Sequence, residues 1–267
     1  MLQYVDTHCH LDLAQFDGKI PQIIENARNA GVGRMINPAI HVRSSERIAA
    51  ICDENPEVYG AVGIHPNDVP FNLDKDLESI AILATKMKIV AIGEIGLDAY
   101  HQDIPADLQM QAFYAQLELA AALMYPVIVH SRQTMDSVEK ILSEWSHHHR
   151  SAFNGRYLGV LHAFEGDSAC ALRMFSQGYL IGLGGPITYK NAEQKRDVIK
   201  NLPLDAMVLE TDSPYLTPEP LRGKVNEPAY IPLIGQRTAI IKGCSESEIA
   251  ERTTQNAITL FNIGAVH

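Results

Sequence analysis

Eight short, apolar, β-branched runs alternate with helical stretches along almost the whole chain, and this alternation constrains the fold more than any other feature. The runs are Gln3–Thr7, Arg34–Asn37, Val58–Ile64, Ile89–Glu94, Pro126–Val129, Tyr157–Leu161, Tyr179–Gly182 and Ala206–Glu210. Helical periodicity covers Ile20–Ala30, Ser44–Asn55, Asp74–Met87, Leu108–Leu123, Thr134–Ser146, Asp167–Gln177 and Ala192–Asn201, and two further helices, Pro228–Lys242 and Ser245–Phe261, close the chain. Asp167 reads as an N-cap and Gly178 as a stop signal. Strand–helix alternation means parallel βαβ units. Eight units in 267 residues predict an α/β fold, a single (β/α)8 TIM barrel with its site at the C-terminal ends of the strands. An open doubly wound sheet is the competing architecture, but no Gly-rich phosphate loop follows the first strand. The run Gly182-Leu183-Gly184-Gly185 comes at the end of the seventh strand, where close approach of the backbone to a ligand accounts for it as well. No repeat, linker or low-complexity segment interrupts the pattern, so 1–267 is expected to be one domain.

Composition narrows the class. No uncharged apolar run approaches the ~18 residues that span a bilayer. The N-terminal run Met1-Leu2-Gln3-Tyr4-Val5-Asp6 has no basic n-region and enters a strand at once, unlike a signal peptide. A cytoplasmic protein with no membrane partner is expected, and a monomer. Cys9, Cys52, Cys170 and Cys244 are scattered, with no CxxC pair, and are expected to be reduced and mostly buried. The triplet His147-His148-His149, near a helix end, reads as a solvated loop. A net charge of −10 argues against broad duplex binding, which needs basic surface. It leaves room for a nuclease, because metal ions and a few local cations can hold a scissile phosphate.

Metal-ligand residue types stand at the ends of the predicted strands. His8 and His10 are two apart, so on a strand they share a face, and Cys9 between them points the other way. Glu94 ends the fourth strand, where a buried carboxylate is costly unless paired or bound to a cation. His130 and His162 end the fifth and sixth strands, and Asp212 the eighth. Imidazole and carboxylate together suit borderline divalent metals. The grouping expected is His8, His10 and Asp212 on one ion, His130 and His162 on a second, and Glu94 bridging the two. Asp212 and Glu94 are then the candidate catalytic carboxylates, Asp212 accepting a proton from the attacking water. His65 ends the third strand and faces either substrate or a loop partner. Arg132, Lys190, Arg222 and Lys224 fall in loops expected on the same face, where they could grip an anion.

These residues lie within longer motifs: VDTHCHLD, AVGIHP, AIGEIGLD, the run from Gln109 to Arg132, VLHAFEG, ETDSPYL with RGKVNEP, and the closing NAITLF. In that order, from Val5 to Phe261, they resemble the TatD family of metal-dependent hydrolases among the amidohydrolase-like barrels. The resemblance implies a divalent-metal phosphodiesterase acting on DNA, a deoxyribonuclease with two zinc, manganese or magnesium ions. Its metal pattern falls on His8, His10, Glu94, His130, His162 and Asp212, its substrate-side histidine on His65, and its loop-shaping motif on Asn226-Glu227-Pro228. Two positions depart from the pattern. Glu165 stands where a small polar residue is usual, and Val225 where a basic one is frequent.

The expected function is divalent-metal-dependent hydrolysis of phosphodiester bonds in DNA, with single-stranded DNA as the partner and a metal-activated water as nucleophile. The same site would serve a carboxylic ester or amide, such as an aminoacyl-RNA ester. A non-catalytic metal or nucleic-acid binding protein is the remaining reading.

Overall fold

One parallel sheet carries the fold, with its eight strands hydrogen-bonded in chain order. They are β1 (Tyr4–Asp6), β2 (Val32–Pro38), β3 (Val58–Val62), β4 (Ile89–Asp98), β5 (Val127–Arg132), β6 (Gly159–Leu161), β7 (Tyr179–Leu183) and β8 (Met207–Leu209). Backbone bonds just beyond the regular strands lace β8 to β1. Thr7 N–H donates to the Leu209 carbonyl at 3.0 Å, Asp212 N–H to that of His8 at 2.8 Å, and His10 N–H to that of Ser213 at 2.8 Å. The sheet thus closes as a (β/α)8 TIM barrel. The computed structural model describes residues 3–264. Met1 and Leu2, at the head of the segment expected to enter a strand at once, lie outside the described residues, as do the last three of the expected 1–267 domain.

The helices are α1 (Ile20–Asn29), α2 (Val42–Glu54), α3 (Leu73–Leu83), α4 (Ala106–Leu123), α5 (Met135–His149), α6 (Ser168–Ser176), α7 (Glu193–Asn201), α8 (Ile231–Lys242) and α9 (Glu246–Phe261). The α6 signals act as expected. The Asp167 carboxylate accepts from Cys170 N–H at 2.8 Å, and Gly178 leaves the helix with φ +102°. Among the described residues no helix is long and apolar enough to cross a membrane.

Each strand contributes one residue to the barrel interior: Val5, Ile36, Ala61, Ala91, Ile128, Val160, Leu180 and Val208. Ala257, Leu260 and Phe261 of α9 pack against these, so the interior is a filled core. Asn256 on the same helix donates to the Leu204 and Met207 carbonyls, both at 2.8 Å, which fixes α9 at the start of β8. A second apolar layer lies between strands and helices and includes Met35, Ile48, Phe113, Leu117, Met174 and Ile234. Cys9 belongs to it and points away from its histidine neighbours, its thiol 3.6 Å from the Ile36 carbonyl. All four cysteines are free, three of them buried.

Three local expectations are corrected. β4 does not stop at Glu94 but runs to Asp98, because Gly96 and Asp98 pair with His130 and Arg132 of β5. α3 ends at Leu83, short of Met87, where Thr85 and Lys86 turn the chain back. His147, His148 and His149 form the last turn of α5, not a loop: His149 packs on Trp145 (ring centroids 5.4 Å apart) and pairs with Glu118 at 3.3 Å. At the end of β7, Gly182 and Gly184 border a cavity at the strand ends, and the glycines also make room for protein. A Cβ on Gly182 would stand 2.4 Å from a Glu210 carboxylate oxygen, and one on Gly185 2.0 Å from the Leu216 carbonyl.

Candidate metal centre

Strand alternation delivers four of the site residues. Val160 and Val208 face the barrel interior, so His162 and Asp212, an even number of residues further on, emerge on the same side at the mouth. His130 follows Ile128 in the same way, and His65 follows Ala61. The other two strands break the count. Glu94 is three residues beyond Ala91, and the register of β4 on β5 shifts between Ile92 and Ile95. Gly63 and Gly93 allow this, since a Cβ on Gly63 would meet the Gly93 backbone at 2.9 Å. His8 is three beyond Val5, past the end of β1, where the chain bends at Thr7.

The six expected ligands converge with His65 around the Glu94 carboxylate, and its two oxygens divide them. Oε2 lies 3.3 Å from His8 Nε2 and 3.6 Å from His10 Nε2. Oε1 lies 2.8 Å from His130 Nδ1, 3.7 Å from His65 Nε2 and 4.0 Å from His162 Nε2. Asp212 Oδ1 is 3.6 Å from His10 Nε2 and 3.8 Å from the Nε2 atoms of both His8 and His162. Among the described residues, the sets able to hold a cation are His8–His10–Asp212, His8–Glu94–His162 and His65–Glu94–His130, each with ligand atoms within 4.8 Å of one another. His130 and His162 do not share one of these sets. His162 stacks on His8, ring centroids 3.4 Å apart, while its centroid is 6.5 Å from that of His130. His130 groups instead with His65, expected on the substrate side.

The donor set fits divalent metals. A carbonyl can only accept, so the contact of His10 Nδ1 with the Pro38 carbonyl (3.2 Å) puts the proton on Nδ1 and turns the Nε2 lone pair inward. His130 places Nε2 3.2 Å from Asp98 Oδ2, and His162 places Nδ1 3.1 Å from Glu210 Oε1, so each presents its other nitrogen to the centre. Imidazole backed by a carboxylate is the usual outer arrangement of a metal-binding histidine.

Charges inside the cluster are strongly coupled. Burial would raise the Glu94 carboxyl, yet His8, His65 and the contacts with His130 hold it well below its ordinary value. Asp212 is likewise pushed up by burial but held down by His162, His10 and His8. Burial would lower His130 and His162, but Asp98 and Glu94 raise the first to about 9, and Glu210 and Asp212 the second to about 10. His65 is lowered to about 3 by burial, and His8 is lowered by burial and by His162. Burial opposes protonation of His10 too, but Asp212 and Glu94 raise it.

Three carboxylates that the motifs contain, but that received no role from the sequence, support this cluster. Asp98 accepts from Asn67 Nδ2 at 3.0 Å and from the Tyr100 and His101 N–H groups, besides meeting His130. Glu210 stands two residues before Asp212 on the same face, a spacing that marks it in the sequence. Asp6 receives Thr211 Oγ1 at 2.5 Å and the N–H groups of Thr211 (2.9 Å) and His8 (3.2 Å), and burial pushes it up to about 8. Two glutamines on one face of α4 grip the strand ends. Gln116 exchanges two hydrogen bonds with the Ile64 backbone, at 2.7 and 3.0 Å, and Gln109 does the same with Asp98, at 2.8 and 3.0 Å. Asn226 is buried and donates to the Thr211 and Tyr215 carbonyls, shaping the loop after β8 as expected.

The expected substrate-side cations separate. Arg132 lies over the Tyr100 ring at 4.4 Å and borders both cavities that open on the cluster, one of about 300 Å3 and one of about 190 Å3. Arg222 lies over Tyr189 at 4.4 Å, and Lys224 is exposed; neither borders those cavities. Lys190 lines a third cavity, of about 510 Å3. Val225 is exposed, and the Glu165 carboxylate accepts from Gln133 N–H at 3.1 Å on the rim of the smaller cavity at the cluster.

A closed parallel barrel with histidines and carboxylates converging at the strand ends defines the chain as a metal-dependent hydrolase. The family described as TatD related DNase matches it over residues 5–262, and the chain belongs to that family. It is 36% identical to an uncharacterized metal-dependent hydrolase, YabD, of Bacillus subtilis (strain 168), over 97% of this chain and 98% of that protein. It is 35% identical to an uncharacterized metal-dependent hydrolase, YjjV, of Escherichia coli (strain K12), over 98% of each chain. The crystal structure of YjjV, a TatD homologue from Escherichia coli K12, superposes with a TM-score of 0.91 at 34% identity, covering 98% of this chain and 99% of that one.

Proposed function

We propose that this protein is a deoxyribonuclease that hydrolyses phosphodiester bonds in single-stranded DNA with two divalent metal ions, zinc, manganese or magnesium. The observation that carries the proposal is the division of Glu94. One carboxylate oxygen faces His8 and His10, the other His130, His65 and His162, as a bridge between two cations requires. In this reading His8, His10 and Asp212 would hold one ion and His130 and His162 the other, with His65 beside them and Glu94 between them. When bound, the metals supply Lewis acidity to the phosphoryl group and acidify water.

The chain's own residues supply the rest. Asp212 Oδ1, kept ionised by three histidines, is the acceptor for the proton that the attacking water gives up. Asp98 and Glu210 orient His130 and His162. Arg132, on the rim of both cavities, grips a phosphate oxygen. His65 stands where substrate meets the cluster; Arg222 and Lys224 meet the strand further out. The proposal extends to one hydrolase domain over 1–267, acting as a cytoplasmic monomer.

The test is hydrolysis of a labelled single-stranded oligonucleotide by metal-stripped protein, with magnesium, manganese and zinc restored separately. Cleavage that requires metal and disappears in His130→Ala is the expected result. Turnover of carboxylic esters or amides, with no phosphodiester cleaved by folded and metal-loaded protein, would overturn the nuclease assignment.

A further inference from the structure

The smaller cavity, of about 190 Å3, opens from His162 and Asp212 toward β6, β7 and β8. Phe164, Leu183, Ile187, Val198 and Leu216 give it apolar walls. Two polar atoms in that lining lack a hydrogen-bond partner: His162 Nδ1, which lies 3.1 Å from Glu210 Oε1, and Glu210 Oε2. Glu210 is 1% exposed, and its Oε2 has no hydrogen-bond partner. Its other oxygen is committed, accepting from Ala163 N–H at 2.6 Å beside His162 Nδ1. Gly182 leaves room for this carboxylate, which any side chain at that position would strike. Lys195 of α7 enters the same wall and donates to the Phe164 carbonyl at 2.8 Å, leaving two ammonium N–H groups for another partner.

A buried carboxylate oxygen without a donor costs stability until a donor meets it. The occupant must therefore bring an N–H or O–H in between the apolar walls, next to a cation that seeks an acceptor. An acyl chain would leave Glu210 unmet, and a sugar would bury more hydroxyls than these walls can satisfy. We infer that the cavity is a nucleobase subsite for the nucleotide whose phosphate lies at the ligand cluster. This rests on the phosphodiesterase reading above. The faces of the base lie against the apolar walls, an N–H on its edge donates to Glu210 Oε2, and an adjacent acceptor receives Lys195 Nζ. Unstacked bases are recognised in this way, by their faces and their hydrogen-bonding edges together.

Calorimetric titration of the metal-loaded protein with thymidine 5′-monophosphate and with 2-deoxyribose 5-phosphate tests the inference. The nucleotide should bind at least about tenfold more tightly than the sugar phosphate. Ile187→Trp, which fills the cavity, should bring that ratio close to one. Lys195→Met, on a half-buried helical position, should reduce it about threefold, and melting curves establish that both variants are folded. Equal affinities in the wild type, or an unchanged ratio in both variants, would overturn the subsite. Bis(p-nitrophenyl) phosphate, which carries no base, separates the two readings. If it is hydrolysed while base discrimination is absent, the subsite alone is refuted. If it is not hydrolysed with any of the three metals, the phosphodiesterase reading falls and the subsite falls with it.

Discussion

The two halves of the ligand cluster are built from the same residue types but held differently. His8 and His10 are buried at the β1–β8 seam, and the backbone orients His10: a neutral carbonyl takes the Nδ1 proton. His65 and His130 are more open, with side chains 12% and 16% exposed, and an anion, Asp98, orients His130. The difference teaches what each half does without metal. Where a carbonyl is the partner, only the Nδ1 proton is held from outside and Nε2 faces inward. Where carboxylates stand on both sides, the imidazole keeps its proton, and His130 is raised to about 9. An anionic partner makes a stronger ligand of the imidazole but also sets protons in competition with metal. Asp212 and Glu94 raise His10 as well, so both halves exchange protons for a cation, and the β5 half carries the extra hold of Asp98 on its proton.

Removing Glu94, the residue shared by both halves, should have the largest effect. Glu94→Gln should lower kcat/KM by more than about 100-fold, beyond the 10–100-fold that outer partners of metal ligands typically contribute. Metal content by elemental analysis should fall below two ions per chain. Full activity in a folded variant would break the comparison, since the halves would then be independent.

Asp98→Asn should act on one half alone. Affinity for the more weakly held ion should drop about 10–100-fold in competition with a chelator, while the tighter site keeps its affinity. If both sites weaken equally, the two halves are not separately supported.

Gln116→Met leaves the Ile64 N–H and carbonyl without their side-chain partner next to His65. Unfolding should show a loss of about 1–3 kcal/mol. The tighter metal site should be unaffected, because its ligands follow β1 and β8 whereas Gln116 bonds the end of β3.

Protons sharpen the contrast more gently. His130 and His162 have folded values of about 9 and about 10, above the ordinary histidine value. Their protonated forms stabilise the metal-free fold fully below about pH 6.5. That contribution is lost as pH rises through about 9 to 10. Metal-free protein should therefore melt at lower temperature as pH rises from 7 to 10, and loaded protein should not. Metal added at pH 7.5 in weak buffer should release protons, read with an indicator dye. No release would contradict the protonated β5 half.

Legibility in the sequence follows the same division. His130, His162 and Asp212 keep step with Ile128, Val160 and Val208, so strand alternation alone aims them at the mouth. His8 and Glu94 are out of step with Val5 and Ala91. The motifs around them name the ligands, but only the bend at Thr7 and the register shift in β4 aim them. The sharing of His130 with His65 was not legible, because it depends on His162 stacking over His8, a contact between the ends of β1 and β6, far apart in sequence. The spacing of Glu210 from Asp212 marks it, but the partners of Asp98 and Glu210 were hidden for a related reason. Their partners are 32 and 48 residues away in sequence, and a strand-end carboxylate looks the same whether it serves a histidine or water. The helix order was plain, whereas ends such as that of α5 were set by the packing of His149 on Trp145.

The measurement that bears most directly on a bridged pair of unlike half-sites is electron paramagnetic resonance of the protein loaded with two equivalents of manganese. An exchange-coupled signal in the wild type, resolving into separate single-ion signals in Glu94→Gln, is the predicted result. Uncoupled ions in the wild type, or binding that stops at one ion per chain, would contradict the account.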